Sequence, residues 1–336
     1  MERTKRRIRR RKFLQKSATG AVRAGFVIVL RSVLGGPPYT PPSERLNLAG
    51  IGVGGHGAFL LNGMARQCGD LARIVALCDV DEKRATERIV RKIPAVVNVE
   101  GFRRFPQARR YYDFRRMLDK EKNIDAVVVS TPDHTHAAAS TAAMQRGKHV
   151  YCEKPLAHDV YQVRRMTEVA REKGVATQMG IGNHSTETFR RVVELVRAGA
   201  IGEVKEVHAW CDNDPRMGKD DTRLPWGDRR PVQRPPVPET LHWDLWLGPA
   251  PYRPYHPAYL PVVWRNWWDF GNGRLGDMGC HLLDLVFWAL DLKYPETVEA
   301  EGPKPATREV APLWMSVVWS FPARKGRPPI TLTWHH

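Results

Sequence analysis

Lys154, Asp277 and His281 have the side chains best suited to moving a proton to or from an oxygen atom. Lys154 follows a short apolar run and precedes Pro155, where an ammonium group can hydrogen-bond a substrate hydroxyl. Asp277 and His281 are four residues apart, so on a predicted helix over residues 277–289 they share a face, with Asp284 three residues further along it. Histidine is the natural general base near neutral pH, and a neighbouring carboxylate can orient its ring. A surface lysine and a structural acid–histidine pair are the plainer alternatives, and a metal site would need a third ligand that no spacing indicates.

A glycine-rich turn is the sequence element that organises the first half of the chain. Gly52, Gly54 and Gly57 satisfy the pattern G-x-G-x-x-G directly after a short apolar run, and a predicted helix follows. Such glycines allow a tight turn, close approach of a pyrophosphate and close packing of the helix. A second apolar run ends at Asp79, 22 residues after Gly57, near the spacing of the acid that binds ribose hydroxyls. The order predicts a dinucleotide site, with a turn that binds no ligand as the alternative, and a carboxylate without an arginine beside it favours NAD over NADP.

Further apolar runs, each followed by a helical pattern, continue to about residue 180. This alternation predicts a doubly wound parallel sheet, whose ligands bind beyond the carboxyl ends of the strands. The segments 131–136 and 153–155 follow two of these runs, so we expect both at the ligand edge. The basic stretch 103–116 is interpreted as an irregular loop and a short helix that starts after Asp113, with a solvated surface.

The second half contains a dense group of aromatic residues. Six of the eleven tryptophans lie between residues 242 and 288. Their flat rings suit the apolar faces of sugar rings, and Arg265 and Asp269 suit sugar hydroxyls. We expect about two of the six to line a pocket and the others to be core or interface. The polar, proline-rich residues 212–238 are interpreted as a functional or oligomer-facing excursion.

Three separated motifs give a family resemblance. The glycine pattern, the segment Thr131-Pro-Asp-His-Thr-His136 and the tripeptide Glu153-Lys-Pro155 resemble, in this order, the Gfo/Idh/MocA oxidoreductases, which include glucose–fructose oxidoreductase and inositol dehydrogenase. The resemblance implies an NAD(P)-binding Rossmann domain over residues 46–180. It also implies a substrate and oligomerisation domain over residues 181–336, of α+β type with a large, mostly antiparallel sheet.

The resemblance also implies the roles of individual residues. Gly276-Asp277-x-Gly279-x-His281 matches the acid and histidine of the family, which act with the lysine of the E-K-P motif, so Lys154, Asp277 and His281 form the expected catalytic set. No bound metal is expected. The expected contacts to NAD, or less favourably NADP, are Gly52, Gly54, Gly55, His56, Gly57, Asp79, Thr131, Pro132, His134, His136, Glu153, Lys154, Pro155, Trp264 and Arg265.

The expected reaction is hydride transfer between a sugar, polyol or glycoside hydroxyl and the nicotinamide. One alternative is an enzyme of the same fold that retains its NAD while it cleaves or epimerises a glycoside. Another is a sugar-binding protein without catalysis. The expected partners are a carbohydrate and a second copy of the chain in a dimer or tetramer, and not nucleic acid.

The N-terminal segment carries much of the net charge of +17, with twelve Lys and Arg against two Glu in residues 1–45. Arg10-Arg-Lys-Phe-Leu14 before a mostly apolar run resembles a twin-arginine export signal, followed by a proline-rich linker. We therefore expect a periplasmic or secreted protein delivered by the export machinery, with a basic tail on a cytoplasmic enzyme as the alternative. The signal and the tryptophan-rich block together look most like the secreted, planctomycete-type branch of the family.

The C-terminal residues and the cysteines also carry structural signals. Residues 328–336 stop inside a predicted strand, so we expect the second sheet to be truncated. The five cysteines are scattered without paired spacing, which indicates neither a disulfide framework nor a zinc site.

Overall fold

The computed structural model describes residues 40–87, 100–211, 229–304, 308–312, 314–324 and 326–336. The chain divides into two units between Arg45 and Leu46. The described part of the first unit contains one 3-10 turn, Pro42–Glu44, and most of the predicted export signal lies outside the described residues. Within the described ranges, no helix combines the length and the apolar character needed to cross a membrane.

The N-terminal half of the second unit is a six-stranded sheet in the order β3-β2-β1-β4-β5-β6, and every strand pair in it is parallel. This order, with the first strand next to the point where the winding reverses, confirms the predicted doubly wound sheet. The strands are β1 Leu46–Ile51, β2 Ala72–Cys78, β3 Arg109–Tyr111, β4 Ala126–Val129, β5 His149–Glu153 and β6 Thr177–Gly180.

Apolar side chains cover both faces of this sheet. Val127 and Val129 pack in one buried cluster, whereas Val128 between them packs in another. Side chains alternate across a strand, so a continuous apolar run indicates a strand that is buried on both faces. The accompanying helices are α1 His56–Cys68, α2 Glu82–Thr86, α3 Gly101–Arg104, α4 Phe114–Lys120, α5 Asp133–Gln145 and α6 Val160–Lys173.

The basic stretch differs from the sequence-based interpretation. Arg109–Tyr111 forms edge strand β3, and a short helix precedes it, where an irregular loop was expected. The strand lacks an apolar run because its side chains form polar contacts. Arg109 Nη1 and the Tyr111 hydroxyl both donate to Glu121 Oε1, at 2.9 and 2.5 Å. The expected cap is present, since the Asp113 side chain accepts a hydrogen bond from the Arg115 amide at the start of α4.

The C-terminal half contains a four-stranded sheet in the order β7-β10-β9-β8. Its β7–β10 pair is parallel and its other two pairs are antiparallel, so the sheet is mixed. Residues of the helices Glu187–Arg197 and Cys280–Leu290 pack with this sheet in one apolar cluster. These elements are α7 Glu187–Arg197, β7 Glu206–Trp210, α8 Trp243–Leu247, α9 Cys280–Leu290, β8 Thr297–Glu301, β9 Ser316–Phe321 and β10 Ile330–His335.

The segment before α9 also departs from expectation. The helix predicted over residues 277–289 is divided, because Leu275–Gly279 forms one π-helical turn and α9 begins only at Cys280. Single π turns inside helices occur frequently at functional sites. This turn contains Asp277 and leads directly to His281.

Candidate active site

A cavity of about 1370 Å³ lies at the carboxyl edge of the parallel sheet and extends to the C-terminal half. Its walls include the glycine-rich turn and the loops after β2, β4 and β5, which is the ligand edge of a doubly wound sheet. Most predicted cofactor residues line it, and the exceptions are Gly57, His134 and Pro155. All three predicted catalytic residues, Lys154, Asp277 and His281, line the same cavity.

The glycine-rich turn leaves room for a ligand because larger residues would fill it. Gly52 has a φ of +82°, and a Cβ at this residue would lie 2.6 Å from the backbone oxygen of Ser130. A Cβ at Gly57 would overlap the backbone oxygen of Gly52. Helix α1 begins at His56 with no side-chain cap, so its positive end faces this turn. A close backbone approach beside a helix N-terminus fits the pyrophosphate of a dinucleotide.

Asp79 is held by the backbone around the turn. Its carboxylate accepts hydrogen bonds from the amides of Gly54, at 2.6 Å, and Asp81, at 3.0 Å. Burial raises the pKa of Asp79 from its usual value, while these amides act in the opposite direction. No arginine is adjacent to Asp79 in sequence, but Arg84 lies beside it in the fold. Arg84 Nε donates to the Gly54 oxygen at 2.9 Å, and its positive charge acts to lower the pKa of Asp79. The helix α2 brings Arg84 back to the turn, which adjacency in sequence does not reveal.

His134 is turned away from the cavity, contrary to its predicted contact with the cofactor. Its ring nitrogens lie 3.3 Å from the Phe270 oxygen and 3.0 Å from the Trp246 oxygen. The ring is 2% exposed and packs against both aromatic side chains, and this burial lowers the pKa of His134 to about 4. His134 therefore joins the N-terminal half to two segments of the C-terminal half as a neutral, buried side chain.

Lys154 reaches across the cavity to the π turn. Its Nζ donates to Asp277 twice, to Oδ1 at 2.5 Å and to the backbone oxygen at 2.6 Å. The other carboxylate oxygen of Asp277 lies 3.1 Å from Arg265 Nε. Burial opposes ionisation of Asp277, but the charges of Arg265 and Lys154 prevail and hold its pKa well below its usual range. The peptide bond between Lys154 and Pro155 is cis.

His281 is half-buried beside this charged group. Burial, followed by the positive charge of Lys154, lowers the pKa of His281, so the ring is neutral at neutral pH. Its Nδ1 is buried, and no hydrogen-bond partner for it exists among the described residues. A neutral imidazole that lines the cavity can accept a proton from a ligand there, and the Lys154 ammonium can hold the oxygen that loses it.

Two acids have different partners from those expected. Asp284 does not join the Asp277–His281 group, because its carboxylate lies 2.9 Å from His184 Nδ1. Asp269 lies 2.5 Å from buried Arg253, where a sugar contact was expected. Of the six tryptophans considered above, Trp246 and Trp264 line the cavity.

Comparison with known proteins agrees with this geometry. Residues 46–181 match the family model described as "Oxidoreductase family, NAD-binding Rossmann fold". Residues 192–323 match the companion model, "Oxidoreductase family, C-terminal alpha/beta domain". The chain belongs to the Gfo/Idh/MocA oxidoreductase family. Its first domain is accordingly an NAD-binding Rossmann domain.

Individual relatives share only parts of their length with this chain. It is 31% identical over 119 residues to a levoglucosan dehydrogenase of Pseudarthrobacter phenanthrenivorans, covering 34% of this chain and 30% of that protein. It is 29% identical over 172 residues to an inositol 2-dehydrogenase of Rubrobacter xylanophilus, covering 51% and 45%. The chain thus spans less than half the length of either relative.

A solved structure extends the similarity in fold. The WlbA dehydrogenase of Bordetella pertussis, determined with NADH and UDP-GlcNAcA, superposes with a TM-score of 0.60 over 86% of this chain and 70% of that one. The sequence identity is 19%, so this similarity concerns the fold.

Asp133 is a cavity residue that the sequence analysis missed. It begins α5, is 3% exposed, and accepts a hydrogen bond from Asn272 Nδ2 at 3.2 Å. Burial raises the pKa of Asp133. A signal was available, because this acid lies inside the family motif at the first position of a helix, where its charge favours the helix dipole.

Proposed function

We propose that this chain forms the active site of an NAD-dependent oxidoreductase that transfers hydride between the nicotinamide and a hydroxyl of a sugar, polyol or glycoside. One observation carries the proposal: Lys154 from the nucleotide-binding half and His281 from the other half line the cavity that begins at the glycine-rich turn. The dehydrogenases of sugars and polyols among its relatives support this substrate class.

The residues of the turn fit the cofactor. The backbone of Gly52 and Gly54 and the N-terminus of α1 would hold the pyrophosphate, and Asp79 lies where an acid binds the adenosine ribose. NAD, when bound, supplies the carbon that accepts or gives up the hydride. Trp264 and Arg265 form part of the same wall, with the guanidinium 4.2 Å from the centre of the Trp264 ring.

The protein's part in the reaction is to control one proton. In the oxidation direction, His281 takes the proton of the substrate hydroxyl as the carbonyl forms. Lys154 donates a hydrogen bond to the same oxygen, and Asp277 holds the Lys154 ammonium in place. In the reverse direction His281 returns the proton.

Substitution of the two convergent residues tests the proposal in the full chain. Lys154→Met and His281→Asn should each lower kcat by about 10²- to 10⁴-fold on a responsive polyol or sugar, the usual contribution of proton transfer. The dissociation constant for NAD, measured by calorimetry, should change little. Matched controls are Lys173→Met on a helix surface and His208→Asn on the second sheet, which should retain full turnover. Wild-type protein that binds a sugar but no NAD would instead indicate a non-catalytic binding protein.

A specific contact favours the alternative in which NAD is retained through the reaction. The backbone of residues 80–82 pairs with that of residues 240–242, with Glu82 N to Thr240 O at 2.9 Å and His242 N to Val80 O at 2.8 Å. This pairing joins the C-terminal half to the ligand edge of the sheet directly after Asp79. A connection at this place would hinder the release of bound NAD. Purified protein should then carry NAD through gel filtration and epimerise or cleave a glycoside without added cofactor. Dependence of every turnover on added NAD would contradict retention.

We also propose that the N-terminal segment directs twin-arginine export and that the chain assembles with copies of itself. The support for export is Arg10 and Arg11 before the apolar run. Replacement of both arginines by lysine should stop export of a fused reporter that folds before transport. Sedimentation of the full chain as a monomer would exclude self-assembly.

A further inference from the structure

His136 lies between the two loops that carry the cavity's motifs. Its Nδ1 is 2.8 Å from the backbone oxygen of Pro155, and its Nε2 is 2.8 Å from the backbone oxygen of Thr131. Both are hydrogen-bond distances, and a carbonyl oxygen can only accept. A neutral imidazole has a single N–H, so it can satisfy only one of these oxygens. The neutral ring of His134 also lies between two carbonyl oxygens, but one of its distances is 3.3 Å, so a single N–H directed at the oxygen 3.0 Å away suits that ring. The ring is 1% exposed, so water cannot readily replace either bond.

We propose that His136 is a buried imidazolium that fastens the carbonyls of Thr131 and Pro155 to one ring and thereby positions Lys154. The proposal extends the proposed function, since positioning matters only if Lys154 acts on a substrate. His136 is a positioning residue, because its two bonds go to backbone atoms.

The surroundings of the ring support a positive charge. Burial opposes protonation, but Cys152 on β5, Asp133 on its own helix and the Pro155 carbonyl prevail, and they raise the pKa of His136 to about 9. The cation closest in sequence would be His134, whose pKa is lowered to about 4, so this neighbour is neutral and repels little. The charge of the imidazolium is thus faced by the sulfur of Cys152, by the Asp133 carboxylate and by the carbonyl dipole of Pro155.

The two carbonyls place His136 at the centre of the ligand edge. Pro155 follows Lys154 directly, so the bond to its oxygen fixes the backbone from which the Lys154 side chain extends. Thr131 follows β4, where the chain contacts the glycine-rich turn, as a Cβ on Gly52 would lie 2.9 Å from the Thr131 amide nitrogen. One ring therefore ties the loop that carries Lys154 to the loop that borders the cofactor turn.

The protonation state can be measured in the wild-type chain by NMR with ¹⁵N-labelled histidine. At pH 7.5 we expect one ring with two protected N–H protons, which His136→Gln should remove, and a pKa of about 9 for that ring against the ordinary histidine value of about 6.5. His134→Gln, which removes another buried ring of the same helix, should leave that signal in place. Absence of any ring with two protected N–H protons at pH 7.5 would overturn the proposal, whether or not the variants fold.

Kinetics then separate positioning from a merely structural role. His136→Leu loses both bonds and should lower kcat on the order of 10- to 100-fold with little change in KM, as expected when a reacting group is displaced by about an ångström. His136→Gln keeps an uncharged donor and should recover part of that loss. Equal kcat in folded His136→Leu and wild type would refute positioning. A wild-type chain without turnover would count against the proposed function, while the NMR result would still decide the charge.

Discussion

The ion pairs of Asp277 with Lys154 and Arg265 should contribute strongly to the stability of the fold. Asp277 accepts from Lys154 Nζ at 2.5 Å and pairs with Arg265 Nε at 3.1 Å. The side chains of Asp277 and Lys154 are each 11% exposed, and that of Arg265 is 25% exposed. Asp277→Asn keeps the shape of the side chain but removes its charge, so two largely buried cations would lose their shared anion.

The expected loss in the free energy of unfolding depends on which charges each variant leaves unpaired. Removal of one partner from a buried ion pair costs about 3–5 kcal/mol, so Asp277→Asn should lower the free energy of unfolding by about that amount. Lys154→Met leaves Asp277 paired with Arg265, so it should cost less, about 1.5–3 kcal/mol for the loss of hydrogen bonds to a charged group. The double variant should therefore be more stable than the sum of the two costs implies, with a coupling of about 1–3 kcal/mol.

Urea unfolding of the four proteins, followed by tryptophan fluorescence, measures these differences. Glu168→Gln is the control, because it breaks an exposed ion pair with Arg165 and should cost at most about 1 kcal/mol. The reasoning would be refuted if Asp277→Asn cost no more than Lys154→Met, or if the two costs simply added.

The pH dependence of the same difference has a defined sign. Because the pKa of Asp277 in the folded protein is depressed below the ordinary aspartate value of 3.8, its contribution to stability is fully present above that pH. The contribution is lost as the pH falls through the lower, folded-state pKa. The destabilisation caused by Asp277→Asn should accordingly be constant from neutral pH to about pH 5 and shrink below about pH 4.

Three further predictions concern the turn, a buried histidine and a buried arginine. Gly57→Ala places a Cβ against the backbone oxygen of Gly52 and should weaken NAD binding at least tenfold by calorimetry, whereas Gly63→Ala, with no atom within 4 Å, should stabilise α1 by about 0.5–1 kcal/mol. The depressed pKa of His134, about 4, means that stability falls as the pH drops from about 6.5 to 4, by about 3 kcal/mol. His134→Phe should flatten the melting temperature across that range, and an unchanged slope would contradict this assignment. Arg253→Met should cost about 1.5–3 kcal/mol in urea unfolding, because it removes the buried cation shared by Asp269 and Glu309 while Glu309 keeps its ion pair with Arg230, and a cost below 1 kcal/mol would contradict this estimate of the contribution of Arg253.

The sequence patterns predicted most strands of the first sheet because each of these strands is marked by an apolar run within its own residues. Strands β1, β2 and β4 are apolar runs buried on both faces, and each ends at a residue of the ligand edge. Strand β3 was missed for the opposite reason, since its residues are stabilised by Glu121, ten or more positions away in sequence. The divided helix before His281 was missed because an α pattern and a π turn differ by one residue, which periodicity does not resolve.

The site was predictable where the family motifs lie and not where partners are distant. Lys154 and Asp277 are 123 residues apart, and only the resemblance brought them together before the structure did. Spacing suggested that Asp277 would orient His281, but its carboxylate pairs with Lys154 and Arg265. The partner of Asp284, His184, is 100 residues away, and no pattern within one helix could indicate it.

The position of the π turn explains how side chains from two halves of the chain meet at one cavity. Lys154 Nζ donates to the backbone oxygen of Asp277 as well as to its carboxylate, so the ammonium group is fixed relative to the backbone of the π turn. His281 is the second residue of α9, which follows the π turn directly, so this side chain belongs to the same stretch of backbone. The preceding residues are fastened to the nucleotide-binding half, as Asn272 donates to Asp133 and the Gly271 oxygen lies 3.3 Å from His158 Nε2. The segment that carries Asp277 and His281 is therefore held to the sheet that carries Lys154.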